Sequence, residues 1–249
     1  MKKNHIFLLF LIFLPFNTFA QDATIKEFQG DRIYGVIASG AIDVNIKMSH
    51  QTGVEVALND DNSSKLTLEL TEEGYVRVGY GSNSTTLFVG KNKRPKATIT
   101  LDTLDYVNLS GGAMLLSSGE FETKDFQMSV RGSAYASFIK VNCSSATVTT
   151  EDNAKVEECT LNVAGKLTLK SYGSSNLTVK GIAGSANLVS SSTSSMNILN
   201  FRSDRIEAVT SGASLIKAYV SDQANVSSSG VSVFKYTGEG KVTGKAKEL

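Results

Sequence analysis

Tryptophan is absent from this sequence, and histidine, cysteine and proline occur only twice each. Beyond the first twenty residues His50 is the only histidine, and Cys143 and Cys159 are too far apart for a CxxC pair. These residues cannot assemble a zinc-type ligand set, so neither a metal nor a cofactor is expected. Pro95 is the only proline in the same span, and no long stretch repeats with a 3.6-residue period, which excludes a helical class. The formal charge of +1 gives no electrostatic case for a nucleic-acid partner.

Long apolar runs are also missing, with one informative exception. Lys2 and Lys3 precede an apolar run from Ile6 to Phe16, and Asn17-Thr18-Phe19-Ala20 then places small residues at the cleavage positions. This is the pattern of a secretory signal peptide over residues 1–20, cleaved after Ala20. A transmembrane anchor fits less well, because a span needs roughly twenty apolar residues and this run is shorter. No Cys stands at the cleavage point, so a bacterial lipoprotein anchor is not expected. Removing Lys2 and Lys3 with the leader lowers the formal charge to −1, and no transmembrane segment is expected in the mature chain. The expected location is extracytoplasmic: periplasm, outer-membrane surface or secreted.

In that oxidising compartment a disulfide between Cys143 and Cys159 is conceivable. The two sit at different phases of the repeat described next, about four residues apart along a coil, and a bridge needs Cα atoms within roughly 7 Å. The offset disfavours the bond.

What the chain does contain is repetition. From Val107 to Tyr236 one pattern recurs as VNLSGGAML, MSVRGSAYA, VTTEDNAKV, LKSYGSSNL, VSSSTSSMN, AVTSGASLI and VSSSGVSVF. Anchored at the turn, the copies fall on Gly111, Gly132, Asp152, Gly173, Thr193, Gly212 and Gly230, at intervals of 21, 20, 21, 20, 19 and 18 residues. Four residues before each turn stand Val107, Met128, Val148, Leu169, Val189, Ala208 and Val226, all apolar. Two after it stand Ala113, Ala134, Ala154, Ser175, Ser195, Ser214 and Ser232, all small. Four after it stand Leu115, Ala136, Val156, Leu177, Asn197, Ile216 and Phe234, apolar but for Asn197. A third apolar column holds Leu101, Phe121, Val141, Leu161, Ile182, Phe201 and Val220.

Three inward columns per period imply three short strands per coil, stacked so that neighbours complete one another's core. The expected fold is all-β, a right-handed parallel β-helix of about seven coils of about twenty residues, with an N-terminal antiparallel β meander. The small column has a steric reading: the inside of a sharp corner has no room for more. An antiparallel sandwich also spaces strands every 8–12 residues but does not require matched columns. Residues 21–249 then form a single β-helix domain, with a strand and meander region at 21–105 and stacked coils and tail at 106–249. In the first part VIASGAIDVNI (Val36–Ile46) is an early, displaced copy of the repeat. The alternating segments VEVAL, KLTLEL, YVRVGY, TLFV and ATITL with tight turns between them make the meander. Asn197 needs an internal partner, or the register slips so that Met196 and Ile198 turn in; the coil near Ser190–Asn200 is expected to be the least regular.

The S-G-x-S/A step in LSGGA, TSGAS and the early ASGAI, followed by apolar residues, resembles the auto-transporter adhesin family known as the head GIN domain. The likeness runs from about Ile33 to Val242, through VIASGAIDVNI, the meander, the TITLDTLDYVNLSG entry and the ladder. It implies a secreted β-helical envelope protein of Gram-negative bacteria and carries no catalytic residues across. The chain departs from the pattern at Asp152 and Thr193, where a left-handed turn is less comfortable without glycine.

Catalytic readings are thin. Asp102 and Asp105 are neighbours, and Glu151, Asp152, Glu157 and Glu158 make an acidic patch, yet a solvated edge that discourages strand pairing explains them more simply. His50 lies in a turn-like MSHQTG, and Asp60-Asp61-Asn62 suits a turn better than a calcium site. Binding is the better class. Tyr135, Tyr172 and Tyr219 have outward parity, with Tyr75 and Tyr80 in the meander, and the Ser190–Ser195 and Ser227–Ser229 runs could form exposed hydroxyl ladders. The expected function is a secreted, non-catalytic envelope or surface binding module whose partner is a surface glycan or an envelope protein. A structural envelope protein without ligand and a carbohydrate-active β-helix enzyme are the alternatives. The columns themselves are testable: Leu177→Asp should unfold the array, and a soluble, fully β variant by circular dichroism would refute the assignment.

Overall fold

The computed structural model describes residues 32–57, 66–80 and 94–249. The expected leader, Asp60-Asp61-Asn62 and the TLFV segment lie outside them. In chain order the strands are β1 (Gly35–Ser39), β2 (Asp43–Met48), β3 (Gly53–Ala57), β4 (Leu66–Leu70), β5 (Tyr75–Tyr80), β6 (Lys96–Leu101) and β7 (Tyr106–Ser110). Next come β8 (Met114–Ser118), β9 (Phe121–Glu122), β10 (Asp125–Val130), β11 (Tyr135–Ser137), β12 (Lys140–Thr150), β13 (Lys155–Ser171) and β14 (Asn176–Ser190). The last are β15 (Ser195–Ile198), β16 (Phe201–Thr210), β17 (Leu215–Tyr219), β18 (Gln223–Ser228), β19 (Val233–Thr237), β20 (Lys241–Gly244) and β21 (Lys247–Glu248). No helix occurs among the described residues.

The strands stack into a β-solenoid of about seven turns. One parallel ladder precedes the corner, running from β5 and β1 through β7, β10 and the ends of β12, β13, β14 and β16 to β18 and β20. A second follows it, from β6 and β2 through β8, β11 and the starts of β13 and β14 to β15, β17, β19 and β21. A shorter third ladder joins β9, β12, β13, β14 and β16.

At every corner one residue is left-handed: Gly40, Gly111, Gly132, Asp152, Gly173, Ser192, Gly212 and Gly230 all have φ between 62° and 77°. Each stacks on the corner beneath it, so a Cβ on Gly173 would stand 2.9 Å from the Asp152 backbone. Asp152 is the replacement that fits best, because its Oδ2 accepts a hydrogen bond from the Gly132 amide at 3.2 Å. Short polar side chains tolerate this conformation better than β-branched ones.

That preference decides the one coil whose columns were out of step. The left-handed residue is Ser192 and not Thr193, and the slip propagates along the coil. Leu188 stacks between Leu169 and Ala208 and is buried, while Val189 faces outward. Ser194 takes the small position, and Met196 and Ile198 turn inward at 0% exposure, with Asn197 half-exposed. The slip avoids both a Thr in the left-handed region and a buried amide. The corner itself is as regular as its neighbours; the Asn197 Oδ1 accepts from the Leu199 amide as a turn at Leu199–Asn200 separates β15 from β16. Register shifts fall elsewhere, between Cys143 and Ser145, Val156 and Cys159, and Val163 and Lys166. In the third column Ile182 is 55% exposed, because Gly181 occupies the inward position between Leu161 and Phe201. A Cβ there would stand 2.0 Å from the Leu161 carbonyl oxygen.

The early copy of the repeat is a true coil, for Gly40 lies directly under Gly111 and β1 and β2 pair in register with β7 and β8. The intervening chain doubles back to form the layer below it. The meander is antiparallel only at its outer edge, in the β3–β6 and β4–β5 pairs. Its strands β5 and β6 otherwise run parallel to β1 and β2. Arg94 clamps this junction: its Nε lies 2.8 Å from Asp43 Oδ1, and its Nη2 donates to the carbonyls of Ile42 and Gly112.

Inside the corner the lining changes character along the axis. The lower coils place Ala38, Leu109 and Val130 beside Ala113, Ala134 and Ala154. From Thr150 upward the same positions carry Ser171, Ser190 and Thr210 beside Ser175, Ser194, Ser214 and Ser232, all buried. The hydroxyls bond one another and the corner carbonyls. Thr150 Oγ1 meets Ser175 Oγ at 3.0 Å, Ser194 donates to the Ser171 carbonyl at 2.8 Å, and Ser214 donates to that of Ser190 at 2.9 Å. Every one of these oxygens would cost about 1–3 kcal/mol if buried alone, so the ladder stands only because it is closed. Of the runs expected to form surface hydroxyl ladders, only Ser190 and Ser194 turn inward to join this one, and the other members stay half-buried or exposed.

Two substitutions check the register. Ser192→Gly should raise the unfolding free energy by about 1 kcal/mol by relieving the left-handed backbone. Met196→Asn should lower it by about 3 kcal/mol or more, whereas Asn197→Ala should stay within about 0.5 kcal/mol. Urea unfolding followed by circular dichroism measures all three, and an Asn197→Ala variant as unstable as Met196→Asn would sink the assignment.

Candidate functional site

Of the residues singled out for catalysis, Asp105, Asp152, Glu157 and Glu158 are engaged in hydrogen bonds or ion pairs, while Asp102 is exposed and Glu151 half-buried beside the Asp152 corner. Asp105 Oδ1 accepts from the Thr103 hydroxyl at 3.0 Å and the Thr123 hydroxyl at 2.6 Å, tying two layers together. Asp152 holds the corner. Glu157 pairs with Lys155 at 2.7 Å and Glu158 with Lys180 at 2.8 Å. The Lys155 ammonium is held above its ordinary range by its hydrogen bond to Glu157. His50 is exposed in the turn between β2 and β3. Among the described residues no group of three or more His, Cys, Asp or Glu could hold a metal ion.

The cysteines are free and buried. Cys143 stacks on Val163 and Cys159 on Val179; the two lie on adjacent coils but four residues out of register (163 − 159), which keeps the thiols unbonded. Burial pushes the Cys143 thiol up to about 11, with help from the Asp125 carboxylate, and the Cys159 thiol up to about 12. Burial thus disfavours the thiolate of both cysteines near neutrality.

The tyrosines divide by role. Tyr80 is buried at 2% exposure and is no surface contact. Tyr135 donates to Glu157 Oε2 at 3.3 Å. Tyr172 is half-buried beside its corner. Tyr75 and Tyr106 lean together across Gly35, which has no side chain, and stack with ring centroids 4.8 Å apart. Such a pair covers a glycine in a strand. Tyr219 lies under the Arg202 guanidinium, 5.9 Å from its ring centroid.

Among the described residues, shallow hollows interrupt the outer faces. One of about 300 Å³ opens over β16, β18 and β20, lined by Glu207, Val209, Asn225, Ser227, Thr243 and Gly244 among others. Its polar groups are largely engaged with one another, since Asn225 Nδ2 donates to Glu207 Oε1 at 2.8 Å and Thr243 Oγ1 to Asn225 Oδ1 at 2.6 Å. Another, of about 100 Å³, follows the corner and is lined by Glu158, Cys159, Thr178, Val179, Lys180, Asn197 and Asn200. It exists because Glu157 and Glu158 together oppose the single Thr178, with Glu158 left-handed at φ 48°. In this hollow the Asn197 amide nitrogen and the Asn200 side chain have no partner among the described residues, so both can hydrogen-bond a ligand.

The hollow continues upward as a column in register. Thr178 pairs with Asn197, Asn197 with Lys217, Lys217 with Lys235, and Lys235 with Lys247. Sequence reasoning missed this column. Its signal was available five residues after each corner, once Ser192 rather than Thr193 is the anchor.

A family model described as "Putative auto-transporter adhesin, head GIN domain" matches residues 34–240. The chain belongs to the head GIN domain family. The match takes in every coil from the Gly40 corner to the Gly230 corner. No curated protein matches the chain. Among solved structures, a putative adhesin from Parabacteroides distasonis is similar with a TM-score of 0.75 at 14% identity, over 92% of this chain and 95% of that one. A putative adhesin from Parabacteroides merdae has the same TM-score and identity, over 91% and 93%. A Parabacteroides distasonis protein described as a putative lipid binding protein has a TM-score of 0.70 at 14% identity, over 91% and 96%. At such identity the likeness shows the fold.

The thiols supply a direct check. Neither cysteine of the native protein should react with Ellman's reagent at pH 8, and both should react once urea unfolds the chain. Fewer than two reactive thiols in the unfolded, unreduced protein would show that they pair.

Proposed function

We propose that this head GIN domain protein is a non-catalytic binding module of the bacterial envelope, an adhesin whose hollow between Glu158 and Asn200 engages a surface glycan. The observation that carries this reading is the set of uncommitted hydrogen-bonding groups there: the Asn197 amide nitrogen, the Asn200 side chain and the Thr178 hydroxyl, set beside the Glu158–Lys180 pair. Sugars offer hydroxyls as donors and acceptors at close spacing, and short amide and hydroxyl side chains on a rigid sheet match them without large loss of side-chain entropy.

Three further facts support it. The family and two of the similar structures carry adhesin descriptions. The acids nearest the hollow are each paired with a lysine, where glycoside hydrolysis uses two carboxyl groups flanking the bond to be cleaved. The leader pattern of residues 1–20 directs the chain out of the cytoplasm, and no helix among the described residues is long and apolar enough to cross a membrane.

A glycan array probed with the protein lacking residues 1–20 tests the reading. Binding to one class of glycan, weakened roughly tenfold or more by Asn197→Ala with Thr178→Ala at unchanged stability, is expected. Binding to no glycan, or binding indifferent to both substitutions, would overturn it.

A further inference from the structure

Lys217, Lys235 and Lys247 occupy one outward column on three successive layers. Strand spacing brings their Cα atoms to about 5 Å, and like charges placed directly opposite one another on a sheet destabilise it. Four cations are answered by an acid, Lys155 by Glu157, Lys180 by Glu158, Arg94 by Asp43 and Arg77 by Glu69, and most other described cations stand singly in solvent; what sets these three lysines apart is that they lie directly opposite one another in register. No acid pairs with the three lysines among the described residues. Glu248 pairs its backbone with Tyr236, at the parity opposite to the column, and Glu239 lies beyond Thr237 past the next bend. Nor is the column a by-product of a basic chain, for the formal charge is only +1 with the leader lysines included.

Three like charges in direct register, with no acid paired to them, are the kind of local cost that persists where a ligand removes it. We propose that this ladder is an anion-binding strip and that the ligand is an anionic glycan, a polysaccharide with carboxylate or sulfate groups repeated along its length. This rests on the binding-module reading above and names the ligand class of the same site. The geometry favours a polymer over a point anion. The strip runs along the solenoid axis from the neutral hydrogen-bonding groups of Thr178, Asn197 and Asn200 to the three ammonium groups. Tyr219, two residues beyond Lys217 on the same side of β17, adds an aromatic ring already held by Arg202, on which a sugar face can stack. A lipid surface fits less well, because no large apolar side chain shares the column. Of the exposed apolar residues, Met48, Leu116 and Phe138 lie in the lower coils, while Val231 and Leu249 are exposed in the upper coils outside the lysine column itself.

The test is binding of dextran sulfate and alginate against neutral dextran, by biolayer interferometry, at about 20 mM and about 300 mM salt. The protein should bind the anionic polymers and not dextran, and binding should weaken steeply with salt. Lys217→Gln with Lys235→Gln and Lys247→Gln should reduce it roughly tenfold or more. The same variant should unfold at an equal or higher urea concentration than the parent at low salt, which separates lost binding from lost structure. A Lys166→Gln control on the opposite ladder should bind as the parent does. Anionic-polymer binding that survives the triple substitution overturns the proposal. Binding of neutral glycans alone overturns it while leaving the binding-module reading intact, and binding of no glycan overturns both. Capture of phosphatidylglycerol vesicles without any of the polymers would replace the glycan with a lipid surface and overturn the assignment as well.

Discussion

The left-handed corner is the constraint on which this molecule depends. Each coil must reverse direction at a residue with positive φ, and that residue rests on the backbone of the corner below at a distance that leaves no room for a side chain facing down. The corner therefore sets both the stacking distance and the phase of the strands on either side. Once its position is given, residues at even offsets turn inward and those at odd offsets turn out, because side chains alternate along a strand. Glycine meets the requirement at six of eight corners, and Asp152 and Ser192 meet it with short polar side chains at modest cost.

The inside of that corner carries the second constraint. Two strands converge there with their carbonyls aimed across a narrow space, and the protein solves the crowding in two ways. The lower coils fill it with Ala, Leu and Val, and the upper coils fill it with Ser and Thr hydroxyls that satisfy one another and the carbonyls. A hydroxyl chain of this kind is directional and register-specific in a way that methyl contacts are not, so the upper coils are locked in phase by hydrogen bonds as well as by packing. At the base the antiparallel β3 and β4 end the parallel ladders, and Arg94 ties the reversed layer to the coils above it.

With the interior so constrained, the outer columns are the positions whose side chains packing leaves free. The relatives at 14% identity keep the fold, which shows how little of the sequence the scaffold demands. In this chain the column after the corner passes from paired acids and bases through neutral amides to unpaired lysines. A rigid sheet displays these groups at fixed spacing, which suits an extended ligand better than a small one.

Much of the scaffold was legible in the sequence, because a repeat of about twenty residues with matched columns leaves few ways to bury its apolar positions. Seven copies, three inward columns and the small corner position all followed from spacing and side-chain size. The phase at Ser192 did not, since Thr193 and Ser192 are adjacent and both small enough to mimic a turn. Only stacking against Gly173 and Gly212, together with the cost of burying Asn197, chose between them. The pairing of β3 to β6 beneath the first coil was equally hidden, because alternation reports that a strand has one buried face and says nothing about which neighbour it pairs with. The small column was legible as the inside of a corner, but its hydrogen bonding to Thr150, Ser171, Ser190 and Thr210 was not, because those bonds form only once the two strands meet across the corner. So the local chemistry of the chain determined that it would coil and where each coil would bend. Tertiary contact alone decided which layer lies on which, because hydrogen bonds between layers join residues that the sequence sets far apart. That stacking is also what gathers Thr178, Asn197, Lys217, Lys235 and Lys247, scattered over seventy residues, into one column.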